Sequence, residues 1–178
     1  MGAYDIIVGM ATVETLVPVE EYLHSVYRPD VDYVDGVLVD RNVGEKNHAK
    51  VQREILVYLH MRRAQWNIFA IQESRVQISR TRYRVPDVCV FVGPEPDEQI
   101  FTTPPFLCVE VLSPEDRMSR MQERIDDYLM FGVEYVWVVD PKTRRAWIYR
   151  TEGMHEIRDG FLRTENPEIA VPLAEIFA

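Results

Sequence analysis

RVPDVCVFV (residues 84–92) and FLCVEVLSP (residues 106–114) are the two runs whose reading decides the fold. In the first, Val85, Val88, Val90, Phe91 and Val92 predict a strand that Asp87 interrupts. The second is almost wholly apolar, the composition of a strand covered on both faces, and Glu110 interrupts it. An unpartnered ionised carboxylate in such surroundings costs on the order of several kcal/mol, so it takes up a proton, an arginine or a metal. The two acids lie 23 residues apart on runs separated by one loop, so they can meet side by side in a sheet. Converging carboxylates repel, and a divalent cation with a preference for oxygen ligands relieves them. Nearby arginines forming buried ion pairs are the other reading, and the chain is rich in arginine.

Upstream, VPVEEYLHSVYR (17–28) predicts a short amphipathic helix with Val19, Leu23 and Val26 along one side, stopped by Pro29. Asp35-Gly36, set between the apolar arms of YVDGVLVD, is a strong hairpin signal. Val51, Ile55, Leu56, Tyr58 and Leu59 recur at helical spacing and predict a long helix from about residue 45 to 65. IFAIQ and RVQIS read as strands, with a polar turn at Arg80–Arg82 before the first quoted run. Pro94, Pro96, Pro104 and Pro105 frame an exposed loop.

Downstream, Ser113-Pro114-Glu115-Asp116 reads as a helix start, with the helix ending at Gly132. VEYVWVVDP is a further buried strand, and AWIYR is its hairpin partner across the turn at Pro141. Asp159-Gly160 marks another turn, and VPLAEIFA a short C-terminal helix. The order predicts an α/β fold: a mixed β-sheet flanked by helices, with additional β-hairpins. The 178 residues suit a single domain, with residues 1–14 read as a disordered lead-in. Those first residues carry Asp5 and no basic start, so neither a signal peptide nor an anchor is expected. Cys89 and Cys108 lie in apolar runs without CxxC spacing and read as buried thiols of a cytoplasmic protein.

The net charge of −9 argues against a surface that grips nucleic acid everywhere. Residues 1–40 carry −7, residues 41–84 carry +7, and residues 85–178 carry −9. The basic middle segment is a candidate DNA-phosphate patch through Arg53, Arg62, Arg80, Arg82 and Arg84. Equally, these arginines can be helix and hairpin residues whose counter-charges come from other segments.

The order of PD, then E-V-L-S-P, resembles the PD-(D/E)xK nuclease superfamily. VDYVDGVLVD, NHAKVQREILVYL, RVPDVCVF, PPFLCVEVLSPEDR, YLMFGVEYVWVVDP and the terminal IF look more closely like the Uma-type family of restriction endonucleases, from about residue 18 to the end. The resemblance implies a restriction-endonuclease-like fold and Mg²⁺-dependent hydrolysis of DNA, with Mn²⁺ as a substitute. It makes Asp87 and Glu110 the metal pair, assisted by the Val111 carbonyl and by Asp32, where the family usually has Glu. His48 matches a family position at the start of the long helix; taken alone, it reads as a helix-start or surface histidine.

Two places depart from the pattern. The superfamily lysine two residues after the second acid is Leu112, and the Uma-type lysine four residues before Tyr128 is Arg124. Arginine can hold a phosphate bidentately but does not give up its own proton to serve as a base. Arg124 with Gln72 would position water or phosphate, and His48, Arg53 and Arg84 complete the substrate side. Without the family context, Arg124 reads equally as an exposed helix residue paired with Glu123 or Asp127. Three functions follow: a DNA endonuclease acting as a homodimer, a catalytically silent binding protein on the same fold, or a metal-dependent hydrolase of a small phosphate compound in an enclosed pocket.

Overall fold

The computed structural model describes residues 16–41 and 45–178, so the expected lead-in at 1–14 lies outside the described residues. In chain order the elements are α1 (Val19–His24), β1 (Asp32–Val34), β2 (Val37–Val39), α2 (Lys46–Met61), α3 (Arg63–Trp66), β3 (Ile68–Gln72), β4 (Val76–Ser79), β5 (Arg82–Arg84) and β6 (Val88–Val92). There follow β7 (Leu107–Val111), α4 (Met118–Phe131), β8 (Tyr135–Asp140), β9 (Arg145–Arg150), β10 (Gly153–Glu156), β11 (Phe161–Arg163), β12 (Ala170–Pro172) and α5 (Leu173–Ile176).

The main sheet has the order β10-β9-β8-β7-β6-β3, parallel only between β7 and β8. Side chains alternate across it. Leu107, Val109 and Val111 pack with Val51, Ile55 and Leu59 of α2. Cys108 instead faces Met121, Ile125 and Tyr128 of α4, whose spacing puts them on one stripe of that helix. Glu110 lies on the Cys108 face by the same alternation, and this aims it at α4. A smaller antiparallel sheet, β2-β1-β5-β4, packs on a third cluster of Tyr22, Val31, Tyr33 and Tyr83. β11 and β12 form a two-stranded ribbon.

The Asp35-Gly36 turn joins β1 and β2, with φ of 49° and 95° at its two central residues, as a tight hairpin of this twist requires. Several other expectations need correction. Residues 84–92 are two strands, not one. Pro86 has no N–H for a ladder, and the Val85 N–H goes to Asp32 Oδ1 at 2.9 Å. β5 therefore stays in the small sheet while β6 starts the next, and Asp87 stands at the crossing.

The first helix stops at His24 rather than Pro29, leaving Val26 80% exposed. Tyr27 stacks on Tyr22 with ring centroids 5.8 Å apart, and residues five apart do not share a helix face, so the helix must end between them. The long helix gives way at Arg62 to the separate α3, which Asn67 closes in the left-handed region. The helix expected from Ser113 begins at Met118, because Asp116 accepts the Ser113 N–H at 2.7 Å and holds a turn there. Gly132 ends it as expected, at φ 108°. The proline-framed loop is partly internal: Phe101 is buried and bridges Val76. The C-terminal helix is confined to α5, because Ala170–Pro172 pairs with β11. No helix among the described residues is long and apolar enough to cross a membrane.

Candidate functional site

Continuing the β6–β7 register, in which Val88 faces Val109, sets Asp87 opposite Glu110. Asp87 Oδ2 accepts the Val111 N–H at 2.7 Å and lies 3.2 Å from His48 Nε2. Its Oδ1 accepts from Arg41 Nη2 at 2.6 Å, and both side chains of that pair are 3% exposed. The Asp87 carbonyl accepts from Gln52 Nε2 at 3.1 Å, which ties the crossing to α2. Burial pushes the Asp87 carboxyl up. The His48 hydrogen bond, the Arg41 charge and the Val111 N–H outweigh it and hold the group below its ordinary value. Burial likewise disfavours the His48 cation, but the bond and charge of Asp87 raise its pKa on balance.

Glu110 is answered from α4. Arg124 Nη1 donates to Oε2 at 2.7 Å and the Tyr128 hydroxyl to Oε1 at 2.6 Å, from helix positions one turn apart. Burial nevertheless dominates and, with the nearby Asp87 charge, lifts the Glu110 carboxyl to about 7 against the pull of Arg124.

The same arginine reaches the small sheet. Arg124 Nη2 and Arg84 Nη1 both donate to Asp32 Oδ2 at 3.0 Å. Arg84 Nε continues to Asp127 Oδ2 at 2.7 Å, and Arg82 joins Asp127 to Asp35 at 2.7 Å on each side. Acid and guanidinium thus alternate from Glu110 through Arg124, Asp32, Arg84, Asp127 and Arg82 to Asp35. Two of the guanidiniums closest to the acids remain incompletely bonded: Arg41 Nε and Arg124 Nε are buried without a hydrogen-bond partner among the described residues.

Of the residues expected from sequence, Asp32, His48, Arg84, Asp87, Glu110 and Arg124 come together, with the Val111 N–H on Asp87. Arg53 stays apart, whereas Gln72 pairs in register with Val88, the neighbour of Asp87. Gln72 is exposed at the end of β3, and Arg53 lies exposed beside Glu54. Arg124 is no exposed helix residue, and its partners are Glu110 and Asp32 rather than Glu123 or Asp127. Sequence reasoning missed Arg41, Gln52, Tyr128 and Asp127. Tyr128 and Arg124 were legible as an i, i+4 pair facing one acid; Arg41 carried no signal beyond its charge.

The basic segment also turns inward. Arg41 pairs with Asp87, Arg75 with Asp30, Arg82 with Asp35 and Asp127, and Arg84 with Asp32, all of these acids contributed by other segments. A cavity of about 250 Å³ is lined by Arg84, Arg120, Arg124, Asp40, Asp116 and Glu123. Another of about 350 Å³ is lined by His48, Ser113, Asp140 and Lys142 among others. Asp87 and Glu110 line neither cavity. Among the described residues, no group of three or more His, Cys, Asp or Glu side chains is arranged to hold a metal ion.

Residues 19–175 match the family Uma2, described as "Putative restriction endonuclease". A crystal structure from Anabaena variabilis ATCC 29413, described as "a putative nuclease belonging to DUF820", is similar over 90% of this chain and 97% of that one. Its TM-score is 0.77 at 20% sequence identity, a likeness of fold. No curated protein matches the chain.

Proposed function

The chain belongs to the Uma2 family, and from that premise we propose that it hydrolyses DNA phosphodiester bonds with a divalent cation, Mg²⁺ or Mn²⁺, held by Asp87 and Glu110. The observation that carries this reading is a pair of buried carboxylates on neighbouring segments, Asp87 at the β5–β6 crossing and Glu110 on β7, with Asp87 fastened to the Val111 N–H beside Glu110.

The donor set suits the ion. Two carboxylates and a neighbouring backbone carbonyl, that of Val111, are hard oxygen ligands, and Mg²⁺ commonly takes one or two carboxylates and keeps its waters. Arginines already answer both acids, and burial with the Asp87 charge still lifts the Glu110 carboxyl to about 7. When bound, the ion would polarise a phosphate oxygen and acidify a water. Arg124, fixed by Glu110 and Asp32, supplies charge against a phosphate but takes no proton. Tyr128 and Asp32 hold that arginine and the Glu110 carboxyl in place. The two free buried cysteines suit a reducing cytoplasm. A homodimer would cover Phe161, which is 37% exposed; Trp147 packs within the protein.

A second reading keeps the fold without turnover, and Arg124 in the place of the family lysine favours it. Supercoiled and single-stranded DNA incubated with Mg²⁺ or Mn²⁺ separates the two. Cleavage by the wild type that Asp87→Ala abolishes supports the enzyme. Cleavage that appears only in Arg124→Lys supports the silent protein, and cleavage that survives Asp87→Ala removes the site.

A further inference from the structure

We infer that Arg41 is a built-in cation holding the divalent ion's place on Asp87, so that metal binds only as Arg41 leaves. The inference rests on the reading of Asp87 and Glu110 as the metal pair. Three observations carry it.

The first concerns which oxygen is free for an ion. Asp87 Oδ2 is committed to the Val111 N–H and His48, so Oδ1 is the oxygen best placed for a cation, and Arg41 Nη2 sits on it at 2.6 Å. A guanidinium and a divalent ion on one carboxylate oxygen repel each other at short range in a site shielded from solvent.

The second is the difference between Arg41 and the other arginines. Arg84 and Arg124 are built into β5 and α4, and each bridges more than one acid. Arg41 follows β2 and precedes α2, outside any helix or strand, and its ion pair is with Asp87 alone among the described residues. Its departure therefore breaks one ion pair among the described residues and no regular element.

The third is the buried Arg41 Nε, which has no hydrogen-bond partner among the described residues. An unmade hydrogen bond leaves part of the cost of burying the group uncompensated. The internal position is thus held by the charge of Asp87 rather than by a complete set of bonds, and a cation that takes over that charge releases the side chain.

Mn²⁺ binding to the metal-stripped full chain, followed by calorimetry and by electron paramagnetic resonance of free Mn²⁺, tests the inference without any activity measurement. Arg41→Gln is expected to bind at least tenfold more tightly than wild type. Arg41→Lys, which restores a competing charge, should return toward the wild-type value, and Asp87→Asn added to Arg41→Gln should lose the gain. Equal or weaker binding by Arg41→Gln overturns the inference while leaving the metal pair standing. If neither protein binds Mn²⁺, inference and metal reading fall together. A measurement on wild type keeps the question open to refutation if Arg41→Gln does not fold. Addition of Mg²⁺ should shift the Arg41 Nε–H resonance and remove its protection from exchange. Mg²⁺ binding that leaves that resonance unmoved overturns the inference.

Discussion

Asp87 and Glu110 begin as the same problem, a carboxylate in an apolar strand, and end with their acidities shifted in opposite directions. Asp87 gathers Arg41, His48 and a backbone N–H and is held ionised. Removing it leaves Arg41 and His48 facing each other without an anion. Asp87→Ala should therefore lower the unfolding free energy by about 3–5 kcal/mol, the usual cost of breaking a buried pair, as read by urea denaturation.

Glu110 is lifted from 4.5 to about 7. Between those values the folded protein keeps a proton that the unfolded chain has released, so stability falls as pH rises through that window. Glu110→Gln should flatten the fall between about pH 5 and 6.5 in metal-free buffer, a range below the window in which His48 contributes a slope of the same sign. An unchanged pH profile of the denaturation midpoint would show that Glu110 ionises normally.

Elements decide where these groups meet. The β1–β2 hairpin carries Asp32 at its start and depends on Gly36, where φ is 95° and an added Cβ would come within 3.1 Å of the Leu16 side chain. Gly36→Ala should cost about 1–2 kcal/mol through left-handed strain, detected as a lower midpoint in thermal unfolding. No loss would mean that the turn can adopt another form. The hairpin was legible from Asp-Gly between apolar arms because turn chemistry is local. The break at Pro86 was not. Pro86 lies between two halves of strand composition, and that they join different sheets is decided by the pairing of β5 with β1 and of β6 with β7.

At the scale of the whole molecule, the basic segment is spent largely on internal pairing. Arg41, Arg75, Arg82 and Arg84 answer acids within the fold, which leaves residues such as Arg53 and Arg80 at the surface. DNA affinity, measured by fluorescence anisotropy against salt, should fall with a log–log slope of magnitude about 5 or less, from the six cations left, against about 9 if all ten met phosphate. Arg53→Gln and Arg80→Gln should each reduce that slope by about 1 if they touch the backbone. A slope near 9 would mean that the internal pairs open on DNA.

The amino-acid order alone determined the features that repeat over a few residues: strand alternation, helical spacing, the Asp35-Gly36 turn, the Gly132 stop, and two acids that could not be left bare. The family resemblance, rather than the residue order by itself, pointed to Arg124 as standing where a lysine is expected. The tertiary structure decided which cation answers which acid. Arg41 meets Asp87 across 46 residues, Arg84 meets Asp32 across 52, and Arg124 meets Asp32 across 92. The physical reason is range. Periodicity and turn chemistry act between neighbours in the chain, whereas a buried charge is satisfied by whichever opposite charge the packed sheets and helices bring beside it.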